Sequence, residues 1–162
     1  VLVYESDPLA KDITIAGPIV ASLYCSTTGT DTDWVVKVID MYPNDAPNNV
    51  PNPRGIRMGG YQMLLAGEVF RAKYRNSYSH PEPLVPDEPT KIEFSLRDRF
   101  HRFLKGHRIM VQVQSSWFPV IDRNPQRFMD IYKAGESDFQ KATNKVYRSR
   151  KLPSGVKVNV LR

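Results

Sequence analysis

Cysteine is almost absent from this 162-residue chain, which contains only Cys25. A single cysteine excludes an internal disulfide. With 41% hydrophobic residues, one domain of this length can bury a stabilising core without disulfide or metal support. Cys25 lies in phase with Ile19, Ala21 and Leu23 on an apolar strand face. This pattern indicates a buried structural thiol rather than a nucleophile.

Long apolar runs are also lacking. No stretch reaches the length of a membrane span, and no signal-like segment opens the chain, so we expect no membrane partner. The chain begins in an apparent strand, residues 1–4, without an initiator methionine or a polar lead-in. We therefore expect a fragment of a longer protein. Any targeting signal would lie upstream, which leaves a cytoplasmic and a periplasmic parent both open.

Recognisable catalytic spacing is missing as well. The Gly-x-Ser-x-Gly nucleophile elbow of α/β-hydrolases does not occur, and neither does a glycine-rich phosphate loop. Ser115 and Ser116 end a predicted strand, where we expect their hydroxyls to bond to backbone. His80, His101 and His107 lack the spacing of zinc ligands, so we expect surface or structural histidines.

Asp31 and Asp33 are the remaining candidates for an ion site. Calcium needs six or more oxygen ligands, and two carboxylates are too few. A turn or ion-pair role is favoured for both. The sequence therefore predicts no catalytic residue, no metal site and no cofactor within this chain.

Charge is present but unevenly distributed. Residues 1–50 contain seven acidic residues and only two basic ones, Lys11 and Lys37, which gives a net charge of −5. Because the whole chain has a net charge of +6, residues 51–162 have a net charge of +11. Nucleic-acid binding would need exposed aromatics interleaved with the basic patches, or a recognition helix, and neither is evident. We expect solvated faces and ion pairs to the acidic half or to a missing neighbouring domain, and no nucleic-acid partner.

Thirteen prolines, nine glycines and no helical period are typical of short strands joined by turns. Alternating apolar residues predict strands at 19–26, 33–42, 61–75, 90–96 and 109–113, with weaker candidates at 1–4, 11–16, 128–131, 143–149 and 156–161. Residues 97–105 are expected to be irregular or to form one helical turn, and residues 136–142 to form a turn or short helix. Nine or so strands with long connections favour an all-β, two-sheet jelly roll.

One loop combines exposed-looking aromatics with charge. Trp117 and Phe118 precede Pro119, and Asp122, Arg123 and Asn124 follow. These aromatics could close the end of the core, anchor a domain interface, where aromatics and arginines concentrate, or stack on a sugar. We take Trp117, Phe118, Asp122, Arg123 and Asn124 as candidates for a domain interface or a cleft wall.

Three segments together resemble one protein family. They are DTDWVVKVIDMYP at 31–43, GYQMLLAGEVFRAKYR at 60–75 and GHRIMVQVQSSWFP at 106–119. In this order they are similar to the C-terminal domain of the X-Pro dipeptidyl-peptidase class of serine hydrolases, which includes cocaine esterase, α-amino-acid ester hydrolases and glutaryl 7-aminocephalosporanic acid acylases. The similarity runs from residue 1 to 162. Trp117, with RNPQ at 123–126, resembles the ester hydrolase and acylase branch more closely.

The resemblance implies a jelly-roll β-sandwich of galactose-binding-like shape. It also implies a partner, an N-terminal α/β-hydrolase domain of the same chain that carries the Ser-His-Asp triad. None of the triad motifs occurs here, so no catalytic residue is transferred. The implied role is to support the catalytic domain, wall part of its cleft and join homo-oligomer contacts. An independent carbohydrate-binding β-sandwich module is the alternative.

Overall fold

The computed structural model describes residues 1–161 and forms a sandwich of two antiparallel β-sheets. Eight strands build it: β1 (Leu2–Glu5), β2 (Ile13–Thr27), β3 (Asp33–Met41), β4 (Gln62–Arg71), β5 (Thr90–Phe103), β6 (Arg108–Gln114), β7 (Asn144–Val146) and β8 (Gly155–Lys157). Three short 3₁₀ turns follow at Ala72–Tyr74, Ile131–Lys133 and Glu136–Asp138. Within residues 1–161, the structure has no helix of the length and apolarity that spanning a membrane requires.

The first sheet has the order β1-β6-β3-β4, and the second has β5-β2-β7 with β8 also paired to β2. The all-β sandwich expected from the sequence is confirmed, whereas the jelly-roll, galactose-binding-like subclass stays a prediction. β3 lies at the centre of the first sheet, where Val35 and Val36 point to opposite faces and are both fully buried. The expectation that both faces of this strand are covered is therefore confirmed.

The core lies between the sheets. Trp34, Val36 and Val38 of β3 pack in one buried cluster with Leu23 and Cys25 of β2. Cys25 is 2% exposed, and burial raises the pKa of its thiol to about 12. The thiol is structural, as the sequence pattern indicated.

Two predicted strands, 11–16 and 19–26, are a single long strand in the structure, β2. Gly17 adopts a positive φ of 99°, and the pairing register with β5 shifts between Pro18 and Val20. The strand bends at this irregularity and continues, because Gly17 tolerates the left-handed conformation that the bend requires. The expected break at Gly17-Pro18 is therefore wrong.

The expectation of an irregular 97–105 segment is also wrong, since β5 runs through to Phe103. Arg97 has a positive φ of 70°, and the buried side chains change phase there, from Phe94 and Leu96 before it to Phe103 after it. A one-residue shift of this kind removes the period-two signal without ending the strand.

The remaining differences concern strand ends. β4 ends at Arg71, and a 3₁₀ turn follows it where the strand was expected to extend to residue 75. The 128–131 segment is not a strand, and β7 and β8 are shorter than predicted, with three residues each. The 136–142 region contains the short helical turn that was expected.

Candidate domain-docking site

The 117–125 loop lies against the outer face of the first sheet, where Trp117 anchors it. A Cβ added to Gly67 of β4 would lie 3.0 Å from Trp117 Cη2, so the indole sits directly on the glycine backbone. Lys37 of β3 pairs with Gly67, and its Nζ lies 4.3 Å from the indole ring centroid. Burial lowers the pKa of Lys37. Trp117 is thus a partly buried anchor of the loop rather than a free aromatic.

Three side chains beyond this anchor form an exposed group, which we call the docking cluster: Phe118, Arg123 and Phe139. The Arg123 Cζ lies 5.7 Å from the Phe118 ring centroid and 5.1 Å from that of Phe139. Phe118 is 65% exposed and Phe139 is 39% exposed. Arg123 makes no salt bridge within residues 1–161. A free guanidinium between two exposed phenyl rings is the composition of an interface centre.

The other two candidates differ from each other. Asp122 is exposed beside the cluster, whereas Asn124 is buried. The Asn124 amide nitrogen donates to Asp33 at 2.9 Å and to Asp31 at 3.2 Å, and its oxygen accepts from the backbone N–H of Gln126. Asn124 therefore fixes the loop from inside, and an interface at this segment would be made by its neighbours.

Asp31 and Asp33 form a buried charged network at the start of β3. Arg71 donates to both Asp33 oxygens, at 2.9 and 3.2 Å, and the backbone N–H of Lys73 donates to Asp31. Lys73 Nζ also donates to the Met129 carbonyl at 2.7 Å. Burial raises the pKa of Asp31. The ion-pair role is confirmed for Asp33, which pairs with Arg71, whereas Asp31 accepts hydrogen bonds from the Lys73 backbone and the Asn124 amide. The network also holds the segment that follows the loop.

A second buried carboxylate was missed at the sequence level. Asp40 of β3 accepts from His101 Nε2 at 2.9 Å and from His107 Nδ1 at 2.7 Å. His101 lies on β5 of the opposite sheet, so the carboxylate links the two layers. The sequence did contain an indication of this carboxylate, because Asp40 has the same strand phase as the buried residues Val36 and Val38. His101 and His107 are therefore structural histidines, as expected from the sequence.

The serines do not form a catalytic group. Gln114 donates to the backbone carbonyl of Ser116, but no hydrogen bond of the Ser115 or Ser116 hydroxyl occurs within residues 1–161, so the expected backbone bonds are absent there. In the same range no cluster of three or more His, Cys, Asp or Glu side chains is placed to hold a metal ion.

The whole chain is similar to proteins of known family. The family model described as the X-Pro dipeptidyl-peptidase C-terminal non-catalytic domain matches residues 1–157. Cocaine esterase from Rhodococcus sp. (strain MB1 Bresler) is 27% identical over 162 residues, which is all of this chain and 26% of the esterase.

Solved structures are similar too. An aminopeptidase from a marine sediment archaeon, Thaumarchaeota archaeon, is 43% identical with a TM-score of 0.92, over 99% of this chain and 26% of that chain. An α-amino acid ester hydrolase is 43% identical with a TM-score of 0.91, over 99% of this chain and 25% of that one. The chain thus spans about a quarter of the length of these relatives.

Proposed function

The chain belongs to the family of X-Pro dipeptidyl-peptidase C-terminal non-catalytic domains, and from that premise we propose that residues 1–162 form one β-sandwich domain at the C-terminal end of a serine hydrolase. The parent hydrolyses ester or amide bonds through a Ser-His-Asp triad located in an upstream α/β-hydrolase domain. This domain supports that catalytic domain through the docking cluster, and the neighbouring Asp122 faces its substrate cleft.

The proportion of each relative that is covered supports an upstream partner. Because this chain aligns with only 25–26% of the esterase, the aminopeptidase and the ester hydrolase, about three quarters of each has no counterpart here. A catalytic domain fits within that remainder. The names of these relatives, an esterase, an aminopeptidase and an ester hydrolase, support ester or peptide hydrolysis as the activity of the parent.

The observation that carries the docking role is the exposed docking cluster, of which Phe118 and Arg123 lie on the fixed 117–125 loop. Trp117 and Asn124 fix its base on the sandwich, while Phe118 and Val120 are each 65% exposed. Ordered apolar surface of this kind is typical of an interaction site rather than of a solvated loop. Pre-ordering also lowers the entropic cost of association. Contacts between copies of the parent are a second use of the same domain.

Sugar stacking is less well supported by this geometry. Trp117 packs on Gly67 and under Lys37, so its ring is not an open platform for a sugar. Calorimetric titration with a panel of oligosaccharides separates the two functions. Saturable binding that is lost in Trp117→Ala would favour the carbohydrate-binding module.

An esterase assay tests the placement of the chemistry. Residues 1–162 alone should not hydrolyse p-nitrophenyl butyrate above background, whereas the full-length parent should. Ser115→Ala and Ser116→Ala in the parent are the matched controls and should retain full turnover. Hydrolysis by residues 1–162 that either substitution abolishes would overturn the proposal.

A further inference from the structure

An apolar pocket of about 240 Å³ opens between the two sheets, at the edge where β1 faces β7 and β8. Its walls come from both layers and are mainly aliphatic: Tyr4, Leu23, Val111, Val113, Val146, Arg148, Ser154, Gly155 and Val156. None of these residues belongs to the docking cluster.

The pocket exists because the second sheet is too short at this edge. β7 and β8 contain three residues each and pair with residues 25–27 and 20–22 of β2, so neither of them pairs with Leu23, whose buried side chain forms part of the pocket wall. Water in such a pocket finds few hydrogen-bond partners, which makes its displacement by an apolar group favourable.

One charged side chain stands at this pocket. The Arg148 Cζ lies 4.9 Å from the Tyr4 ring centroid, so the guanidinium bridges the two sheets beside the apolar walls. Arg148 makes no side-chain hydrogen bond or ion pair within residues 1–161, and the Tyr4 hydroxyl likewise has no partner in that range. Arg150 and Lys151 follow in the same exposed turn and add positive charge.

The Ser154 hydroxyl also lines the pocket, but its hydrogen bonds are already made within the protein. The Ser154 hydroxyl donates to the Tyr24 carbonyl and accepts from the Tyr24 backbone N–H at 2.8 Å. The guanidinium and the Tyr4 hydroxyl are therefore the donors available to a ligand. Both favour an acceptor, and a guanidinium pairs best with a planar, two-oxygen anion such as a carboxylate.

We propose that this pocket binds a small monocarboxylic acid with an unbranched apolar tail, the carboxylate on Arg148 and the tail against the valines. The pocket volume of about 240 Å³ exceeds what one water molecule needs and leaves room for a short aliphatic tail, for which hexanoate is the probe. This inference is independent of the docking role, because the pocket shares no residue with the docking cluster.

Isothermal titration calorimetry of residues 1–162 with three six-carbon probes provides the test. Hexanoate should bind saturably, 1-hexanol at least tenfold more weakly because it lacks the charge, and hexylamine not measurably because its charge repels Arg148. Acetate should not bind, since it lacks the tail. Hexylamine binding as tightly as hexanoate, or no saturable hexanoate binding up to 20 mM, would overturn the proposal.

Variants then locate the site. Arg148→Gln should weaken hexanoate at least tenfold and leave 1-hexanol unchanged, while Arg150→Gln, in the same turn but outside the pocket, should leave both unchanged. Val156→Phe should fill the pocket and abolish both, with circular dichroism checking its fold. Equal hexanoate affinity in Arg148→Gln and wild type would overturn the assignment, whatever Val156→Phe does.

Discussion

Asn124 positions the 117–125 loop because it is the buried donor between two carboxylates. Its amide satisfies Asp31 and Asp33 at once, and its oxygen accepts the Gln126 N–H. Hydrogen bonds to charged groups contribute more than neutral ones, and buried acceptors left without a donor are costly. The residue therefore determines whether the docking cluster is presented in one conformation.

Asn124→Ala should lower the free energy of unfolding by about 2 kcal/mol, because two buried carboxylates lose a donor. Urea denaturation measures this effect. The matched control is Asp122→Ala, an exposed acid two residues away, which should change stability by less than about 0.5 kcal/mol. Equal effects of the two substitutions would show that the buried amide does not hold the loop.

Cys25 makes a separate prediction about pH. Burial raises the folded-state pKa of the thiol to about 12, from 9.0, so the unfolded chain releases this proton first as the pH rises. The thiol's contribution to stability is therefore complete below pH 9 and decreases above it. The stability difference between wild type and Cys25→Ala should narrow by about 1 kcal/mol between pH 8 and pH 10. A pH-independent difference in urea denaturation would contradict this account.

At the scale of elements, Gly67 and Trp117 join β4 to the loop. Gly67→Ala places a methyl group 3.0 Å from the Trp117 ring, so the indole must shift by a few tenths of an ångström. We expect a loss of about 1 kcal/mol or more, as for overpacked sites, together with a red shift of tryptophan fluorescence. Gly155→Ala in β8 is the control, because a Cβ there meets nothing within 4 Å. No spectral difference between the two variants would count against the anchor.

The link between the two sheets at Asp40 makes a second prediction at this scale. Asp40→Ala removes the carboxylate that both His101 and His107 contact. The free energy of unfolding should fall by about 3 kcal/mol or more. Asp40→Asn keeps the shape and one acceptor, so its loss should be smaller. Asp45→Ala, at an exposed loop acid, should be nearly neutral in the same denaturation experiment. Equal losses in Asp40→Ala and Asp45→Ala would contradict the link.

Elements were predictable where the period-two pattern was unbroken. β3 could be predicted because its residues form a nearly continuous apolar run, which is the pattern expected of a strand buried on both faces. β2 and β5 could be found but not delimited, because Gly17 and Arg97 change the phase without ending the strand. The local sequence does not show which strand pairs with this segment, and it is this pairing that keeps the chain extended through the bulge.

At the scale of the whole molecule, the sequence predicted the part of the candidate site that lies on the 117–125 loop. Trp117, Phe118 and Arg123 lie within seven consecutive residues and were recognisable by composition. Phe139 lies sixteen residues after Arg123 in a turn-rich segment, so only the folded chain brings it to the guanidinium. The Asp40 link to His101 and His107 was missed for the same reason, since it joins residues more than sixty positions apart.

The central claim is that this domain docks on an upstream hydrolase domain through the docking cluster. The most direct measurement is the affinity of residues 1–162 for the separately purified upstream domain, by titration calorimetry. We predict saturable binding that the triple variant Phe118→Ala, Arg123→Gln, Phe139→Ala weakens more than tenfold, while Tyr78→Ala, at an exposed aromatic elsewhere, leaves it unchanged. Equal affinity of the triple variant and wild type, or no association at all, would contradict the account.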